Sequence, residues 1–153
     1  MKKILMFVVV LFIAISGVKA QHDHDHPRNE IGLGVSGVYE INHKEFSPGF
    51  HAHYFRSFSP HSDWAWGGGV EYVRGDEDHF EIGMGVRYEP VRKLQLSLLP
   101  GISIADEVQF SLHSELIYEA FHISKIHLGP VIGYAWTKDH SHLSAGVHIA
   151  YAF

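Results

Sequence analysis

Between residues 30 and 153, apolar side chains fall on every second position in eight successive segments, each closed by a cluster of turn-forming residues. A period of two is the spacing of a β-strand whose two faces meet unlike surroundings. The clearest segment is 79–89, where Phe80, Ile82, Met84, Val86 and Tyr88 alternate with Glu81, Gly83, Gly85, Arg87 and Glu89. The same pattern predicts strands at 30–42, 49–58, 64–74, 94–105, 108–119, 126–136 and 143–153. Between them stand Lys44–Gly49 with its Ser47-Pro48-Gly49, Ser59–Asp63, Gly75–Asp78, Pro90–Lys93, Asp106-Glu107, Phe121–Lys125 and Lys138–His142, each read as a turn. Phe55 and Arg56 break the alternation of the second strand. Pro100 and Pro130 fall inside the fifth and seventh, each beside a glycine, which points to bulges.

Eight is an even number, so an up-and-down antiparallel sheet of these strands closes into a barrel with both termini at one end. Alternation alone leaves open which face looks inward, because a soluble ligand-binding barrel holds its apolar face inside. Volume decides the matter. The apolar face carries Trp64, Trp66, Trp136 and seven tyrosines besides many Leu, Ile and Phe, whereas an eight-stranded barrel has an interior only just wide enough for side chains. The opposite face is rich in Gly, Ala and Ser and suits that narrow space. The aromatics also sort by height: Trp64, Trp66, Tyr88, Tyr118 and Tyr151 fall toward one rim and Tyr39, Tyr72 and Trp136 toward the other. That is the double girdle of a membrane interface. The expected fold is therefore all-β, an eight-stranded antiparallel up-and-down transmembrane β-barrel over 30–153, in which closure pairs every backbone group away from lipid.

Residues 1–20 have the parts of an export signal: Lys2 and Lys3, an apolar stretch from Ile4 to Val18, and the small-residue exit Val18-Lys19-Ala20. The apolar stretch falls short of the roughly 20 residues a spanning helix needs, so cleavage after Ala20 is expected. Removing Lys2, Lys3 and Lys19 from the 12 Lys and Arg leaves nine basic residues against 17 acidic ones, a balance that argues against nucleic acid as a partner. There is no cysteine, hence neither a lipid-attachment thiol nor a disulfide framework. Residues 21–29 form a polar His- and Asp-rich segment ahead of the barrel. The 14 histidines are the strongest compositional oddity.

The eight amphipathic strands, the short connections, the leader and the terminal Tyr151-Ala152-Phe153 resemble the small porin-like outer-membrane β-barrel proteins of Gram-negative bacteria. The resemblance implies residence in the outer membrane in contact with its lipid, and a monomer is the default expectation. It also implies that the aromatic C-terminus is read by the barrel-assembly machinery. It does not choose a function, since the class spans adhesins, structural barrels, lipid-modifying enzymes and narrow channels.

Parity places Glu40, Glu71, Glu81, Glu89, Glu115 and Glu119 in the lumen with Arg87 as the one firm cation, joined by His51, His53, His113, His127 and His148. Buried carboxylates need partners, so Glu71, Glu81, Arg87, His113, Glu115 and His148 are expected to form a polar network. The rim carries Asp76, Glu77, Asp78, Asp106, Glu107 and Asp139, read either as a solvated acidic rim or as a place where divalent cations bridge to anionic lipid heads. Imidazoles with carboxylates suit zinc, copper or nickel. Two groups are the candidate ligands. His22, His24 and His26 form either a plain polar tail or a weak multi-site scavenger. His51 and His53 share one strand face about 7 Å apart, with His113, Glu115 or His148 open as a third ligand. The function expected is a non-enzymatic outer-membrane barrel binding a divalent transition metal through histidines. The alternative is a lipid-modifying barrel enzyme, an acyl hydrolase or transferase, for which His113-Ser114-Glu115 and His140-Ser141-His142 supply the residue types. On a strand, however, Ser114 points away from His113 and Glu115. The loops are short, which disfavours an adhesin.

Overall fold

The computed structural model describes residues 28–75 and 78–153. The expected leader, the tract His22–His26, and Asp76 and Glu77 lie outside the described residues. Among the described residues nine strand segments follow in order: β1 (Asn29–Glu40), β2 (Glu45–Ser57), β3 (Trp64–Val73), β4 (His79–Val91), β5 (Leu94–Ile104), β6 (Val108–Tyr118), β7 (Phe121–Ile123), β8 (Ile126–Trp136) and β9 (His142–Ala152). Pairing between neighbouring staves is antiparallel throughout, and β1 pairs with β9 from Glu30↔Ala152 to Glu40↔His142, which closes the sheet. Both β6 and β7 pair with β8, so they are two lengths of one stave. The molecule is thus a closed eight-stave, up-and-down antiparallel barrel, as the period-two segments predict. Asn29 and Phe153 exchange backbone hydrogen bonds, each 2.8 Å, and this marks the terminal end of the barrel.

The two faces separate as volume requires. Leu33, Val35, Ile132 and Val147 are all more than half exposed on the outside, while Glu71, His113 and His148 on the inside are less than a tenth exposed. An outer wall of this kind suits acyl chains rather than water. Aromatic pairs mark its two edges. Trp64 stacks on Tyr88 with ring centroids 4.5 Å apart at the terminal rim, and Phe110 meets Trp136 at 6.2 Å toward the other.

Five expectations need correction. The Ser47-Pro48-Gly49 run is not a turn: the chain reverses over 41–44, with Lys44 at a positive φ of 59°, and β2 already begins at Glu45. Pro48 fits there because its carbonyl, and so its missing N–H, faces Arg74 just past the end of β3. Phe121–Ile123 is strand, which leaves Ser124-Lys125 as the turn, with Ser124 at φ 56°. His142 is the first residue of β9, not part of the preceding turn. The two prolines also differ from each other. At Pro100 no residue is inserted, since Gly83↔Gly101 and Val86↔Leu98 keep one register while Met84 and Gly85 drop out of the ladder to β5. At Pro130 the bulge is real and lies on the facing stave: between the pairs Ile117↔Val131 and Phe121↔Leu128, Tyr118, Glu119 and Ala120 stand opposite only Gly129 and Pro130. A side chain at Gly129 would strike the Tyr118 carbonyl, so the bulge presses into that glycine.

Phe55 and Arg56 do not break the alternation. Phe55 is inside and 1 % exposed, and it forms with Ala65 and Leu99 a small apolar cluster within the lumen.

Candidate metal centre in the lumen

Glycine on one set of staves makes room for imidazole and carboxylate on another. On β1, Gly32 and Gly34 face inward, and the register sets His51 of β2 and His148 of β9 on either side of Gly34, with His53 beside Gly32. Closure of the barrel thus brings together three imidazoles, two of which lie 95 residues apart in the chain. A Cβ at Gly32 would collide with Nε2 of both His53 and His148, and one at Gly34 with Nε2 of His51. All three Nε2 atoms therefore converge on the bare stretch of β1.

The geometry is that of a ligand set. One nitrogen from each ring lies within 4.8 Å of the other two. Nε2 of His53 and Nε2 of His148 are 3.2 Å apart, and two imidazoles on one tetrahedral ion with bonds of about 2.0–2.1 Å place their nitrogens about 3.3 Å apart. Nε2 of His51 has no hydrogen-bond partner although the residue is buried. Behind the rings, Glu115 approaches Nδ1 of His51 at 3.8 Å and Nδ1 of His53 at 3.9 Å. A carboxylate on the far nitrogen of a ligating histidine fixes its tautomer and raises its basicity.

Moving away from the terminal end, the next layer centres on His113. Its Nδ1 lies 3.1 Å from Glu71 and 3.5 Å from Glu81, and its Nε2 lies 3.4 Å from Glu115. His142 Nε2 meets Glu71 at 3.3 Å. A cavity of about 20 Å³ lies among His51, His53, Glu71, Glu81, His113 and Glu115, enough for one water-sized occupant. Above this layer His79, Glu81 and His142 form one further ligand-like group, and Glu40, His79 and His140 another. The 137–141 turn aims His140 inward through its own hydrogen bonds: the His140 N–H donates to Thr137 Oγ1 at 2.7 Å, and Ser141 Oγ donates to the Thr137 carbonyl at 2.6 Å.

The terminal half of the lumen is built differently. Arg87 pairs with Glu30, lies 3.3 Å from Glu89, donates to Gln95 at 3.3 Å and rests over the Phe55 ring at 5.0 Å. Gln95 in turn donates to Glu119 at 2.6 Å, and His127 meets the same carboxylate at 2.8 Å. A fifth ligand-like group, Glu119, His122 and His127, lies at this end.

Every lumen residue expected from parity is inside: Glu40, Glu71, Glu81, Arg87, His113, Glu115, Glu119, His127 and His148 are buried, as are His51 and His53, and Glu89 is half-buried. Five more were missed. Glu30, His79 and Gln95 share the parity of their inward neighbours and were legible in principle, whereas His142 was hidden by a misplaced turn and His140 reaches the lumen from a turn, where no period applies. Of the rim carboxylates, Asp78 accepts from Tyr72 Oη at 2.7 Å and from the Gly75 N–H at 3.1 Å. The tyrosine hydroxyl above all holds its carboxyl below the usual aspartate range. The residues considered for acyl chemistry do not assemble locally. Ser114 lies on the outer face and donates to the Tyr134 carbonyl at 3.1 Å, away from His113 and Glu115, and Ser141 is engaged with Thr137.

No family profile matches the chain, and no curated protein does. Solved structures do match. The Yersinia pestis outer membrane protein Ail in a phospholipid bilayer nanodisc is similar at a TM-score of 0.58 and 14 % identity, over 84 % of this chain and 100 % of that one. A de novo designed transmembrane β-barrel matches at 0.55 and 15 %, over 85 % of this chain and 99 % of that one. The N-terminal β-barrel domain of Pseudomonas aeruginosa OprF matches at 0.51 and 9 %, over 83 % and 99 %. At such identities the likeness concerns the path of the backbone, and on that ground this chain has the fold of the small eight-stranded outer-membrane β-barrels.

Proposed function

We propose that the protein is a non-enzymatic barrel of the Gram-negative outer membrane that binds one divalent transition ion, zinc, copper or nickel, at His51, His53 and His148. The observation that carries this reading is the convergence of three buried Nε2 atoms on the glycine wall of β1, two of them at the spacing of ligands on one ion, with Glu115 behind the rings. Three imidazoles suit these metals better than calcium or magnesium, which take oxygen. The lipid-compatible outer wall and the fold supported by the Ail and OprF barrels favour the membrane assignment. The cleaved leader, assembly through Phe153 and a monomeric state belong to the same proposal. His22, His24 and His26 are its accessory ligands, collecting ions weakly outside the barrel.

Titration calorimetry of the folded full-length protein with zinc tests the centre. One saturable site is expected in the wild type and in a variant lacking residues 21–26, and its loss in His51→Ala/His53→Ala and in His148→Ala. Saturable binding that survives both lumen variants would overturn the assignment. With cobalt as the probe, the visible spectrum of the bound ion reports whether its ligands are nitrogen in a tetrahedral field. Acidification is expected to release the ion, because neutral imidazole is the ligating form.

A further inference from the structure

The chain of buried ligands above the three-histidine site is continuous, and it reaches the mouth of the barrel opposite the termini. At the end opposite the termini, a vestibule of about 510 Å³ is lined by Asp106, Glu107, Asp139, His43 and His140 among others, an acidic basin open to solvent. From it the steps inward are short. His43 stacks on His140 with centroids 5.3 Å apart; His140 lies 3.5 Å from Glu40; the His79 ring is 5.0 Å from that of His140 and 5.4 Å from that of His142. His142 leads through Glu71 to His113, and His113 through Glu115 to the three histidines.

His79 is the informative residue in this series. It is 1 % exposed, and neither ring nitrogen has a hydrogen-bond partner. It also belongs to two ligand-like groups at once, with Glu40 and His140 above and with Glu81 and His142 below. An imidazole buried without partners is costly as a packing element, but it is what a hand-over point between two coordination spheres requires.

Below the three-histidine site ligands continue, since Glu30 lies 3.8 Å from both His53 Nε2 and His127 Nδ1, and His127 groups with Glu119 and the exposed His122, but a fixed cation holds the junction. Glu30, which approaches His53 Nε2 at 3.8 Å, is already held by Arg87, and the guanidinium sits over Phe55 across the lumen. A dehydrated cation moving on through Glu30 would have to displace or pass this fixed positive charge.

Building on the three-histidine reading, we infer that the lumen is a one-ended well for a divalent transition ion: the ion enters from the acidic mouth opposite the termini, transits a second site at His79, Glu81 and His142, stops at His51, His53 and His148, and is barred from the terminal end by Arg87. A route residue differs from a ligand of the final site in its kinetic signature, since it governs arrival and departure alike.

Stopped-flow mixing of the full-length protein with cobalt reads this directly. In His79→Phe, loading and chelator-driven release are expected to slow together, in the about ten- to hundredfold range that loss of a supporting group near a metal carries, while the spectrum of the bound ion keeps its wild-type form. Wild-type rates in His79→Phe overturn the route. For the barrier, the protein is placed in phosphatidylcholine vesicles holding a zinc-sensitive dye. The wild type is expected to pass no zinc, and the charge-matched double variant Arg87→Met/Glu30→Gln to admit it. Flux through the wild type overturns the closed end, and so does a folded, zinc-binding double variant that stays tight. If the wild type shows no saturable binding at all, the three-histidine centre itself falls, an outcome separate from binding that persists with unaltered kinetics.

Discussion

The two halves of the lumen solve the same problem in opposite ways. In the terminal half, most carboxylates meet permanent donors: Glu30 and Glu89 have Arg87, and Glu119 has the Gln95 amide beside His127. In the half facing the other mouth, Glu71, Glu81 and Glu115 meet histidines, and ring nitrogens of His51, His53 and His79 are left without hydrogen bonds. The first half is anchored by a fixed cation and behaves as a plug, although Arg87 Nε and His127 Nε2 have no hydrogen-bond partner. The second holds more ligating capacity than its protons can use, which is the condition for taking up something from outside.

The largest effect that separates the halves is expected at Arg87. Arg87→Ala strands Glu30 in a buried position and should cost about 3–5 kcal/mol, the range for breaking a buried ion pair by removing one partner. Reversible denaturant unfolding from lipid vesicles measures it. A loss below about 1 kcal/mol, the value of an exposed pair, would put the terminal half on the same footing as the upper one. The next effect concerns the ion. At a zinc concentration of 100 times the dissociation constant, linkage should stabilise the wild type by about 2.7 kcal/mol, and His148→Ala should lose that increment while its metal-free stability changes little. The smallest effect is expected at Glu81, whose carboxyl oxygens have no hydrogen-bond partner and which lies 3.5 Å from His113. Glu81→Gln should shift metal-free stability by no more than about 1 kcal/mol, the net value of an ordinary hydrogen bond. A cost like that of Arg87→Ala would mean that the upper half is a structural network after all.

The alternation of side chains made the barrel and its inside-out arrangement legible from the sequence, because a period of two assigns each residue to a face without knowledge of its neighbours. That is why the face the alternation assigns to Glu71, Glu81, Arg87, His113, Glu115 and His148 is the buried one. Turn chemistry misled where it lay within a strand: Ser47-Pro48-Gly49 has the residues of a turn, yet Pro48 needs no donor where β3 has run out. Pro100 and Pro130 look alike in the sequence, and only the facing stave distinguishes a skipped ladder from an inserted residue. The meeting of His148 with His51 and His53 was beyond the sequence as well. It depends on the register across β1, which places His51 and His148 both opposite Gly34, and register between strands far apart in the chain is set by closure.

The bare wall of β1 gives a handle that leaves every ligand untouched. Because one methyl group at Gly32 would occupy the place where the nitrogens of His53 and His148 meet, Gly32→Ala should act as a built-in stopper, filling the seat with carbon while all the imidazoles remain. In this barrel the vacancy left by two hydrogen atoms is as much a part of the centre as the rings that point at it.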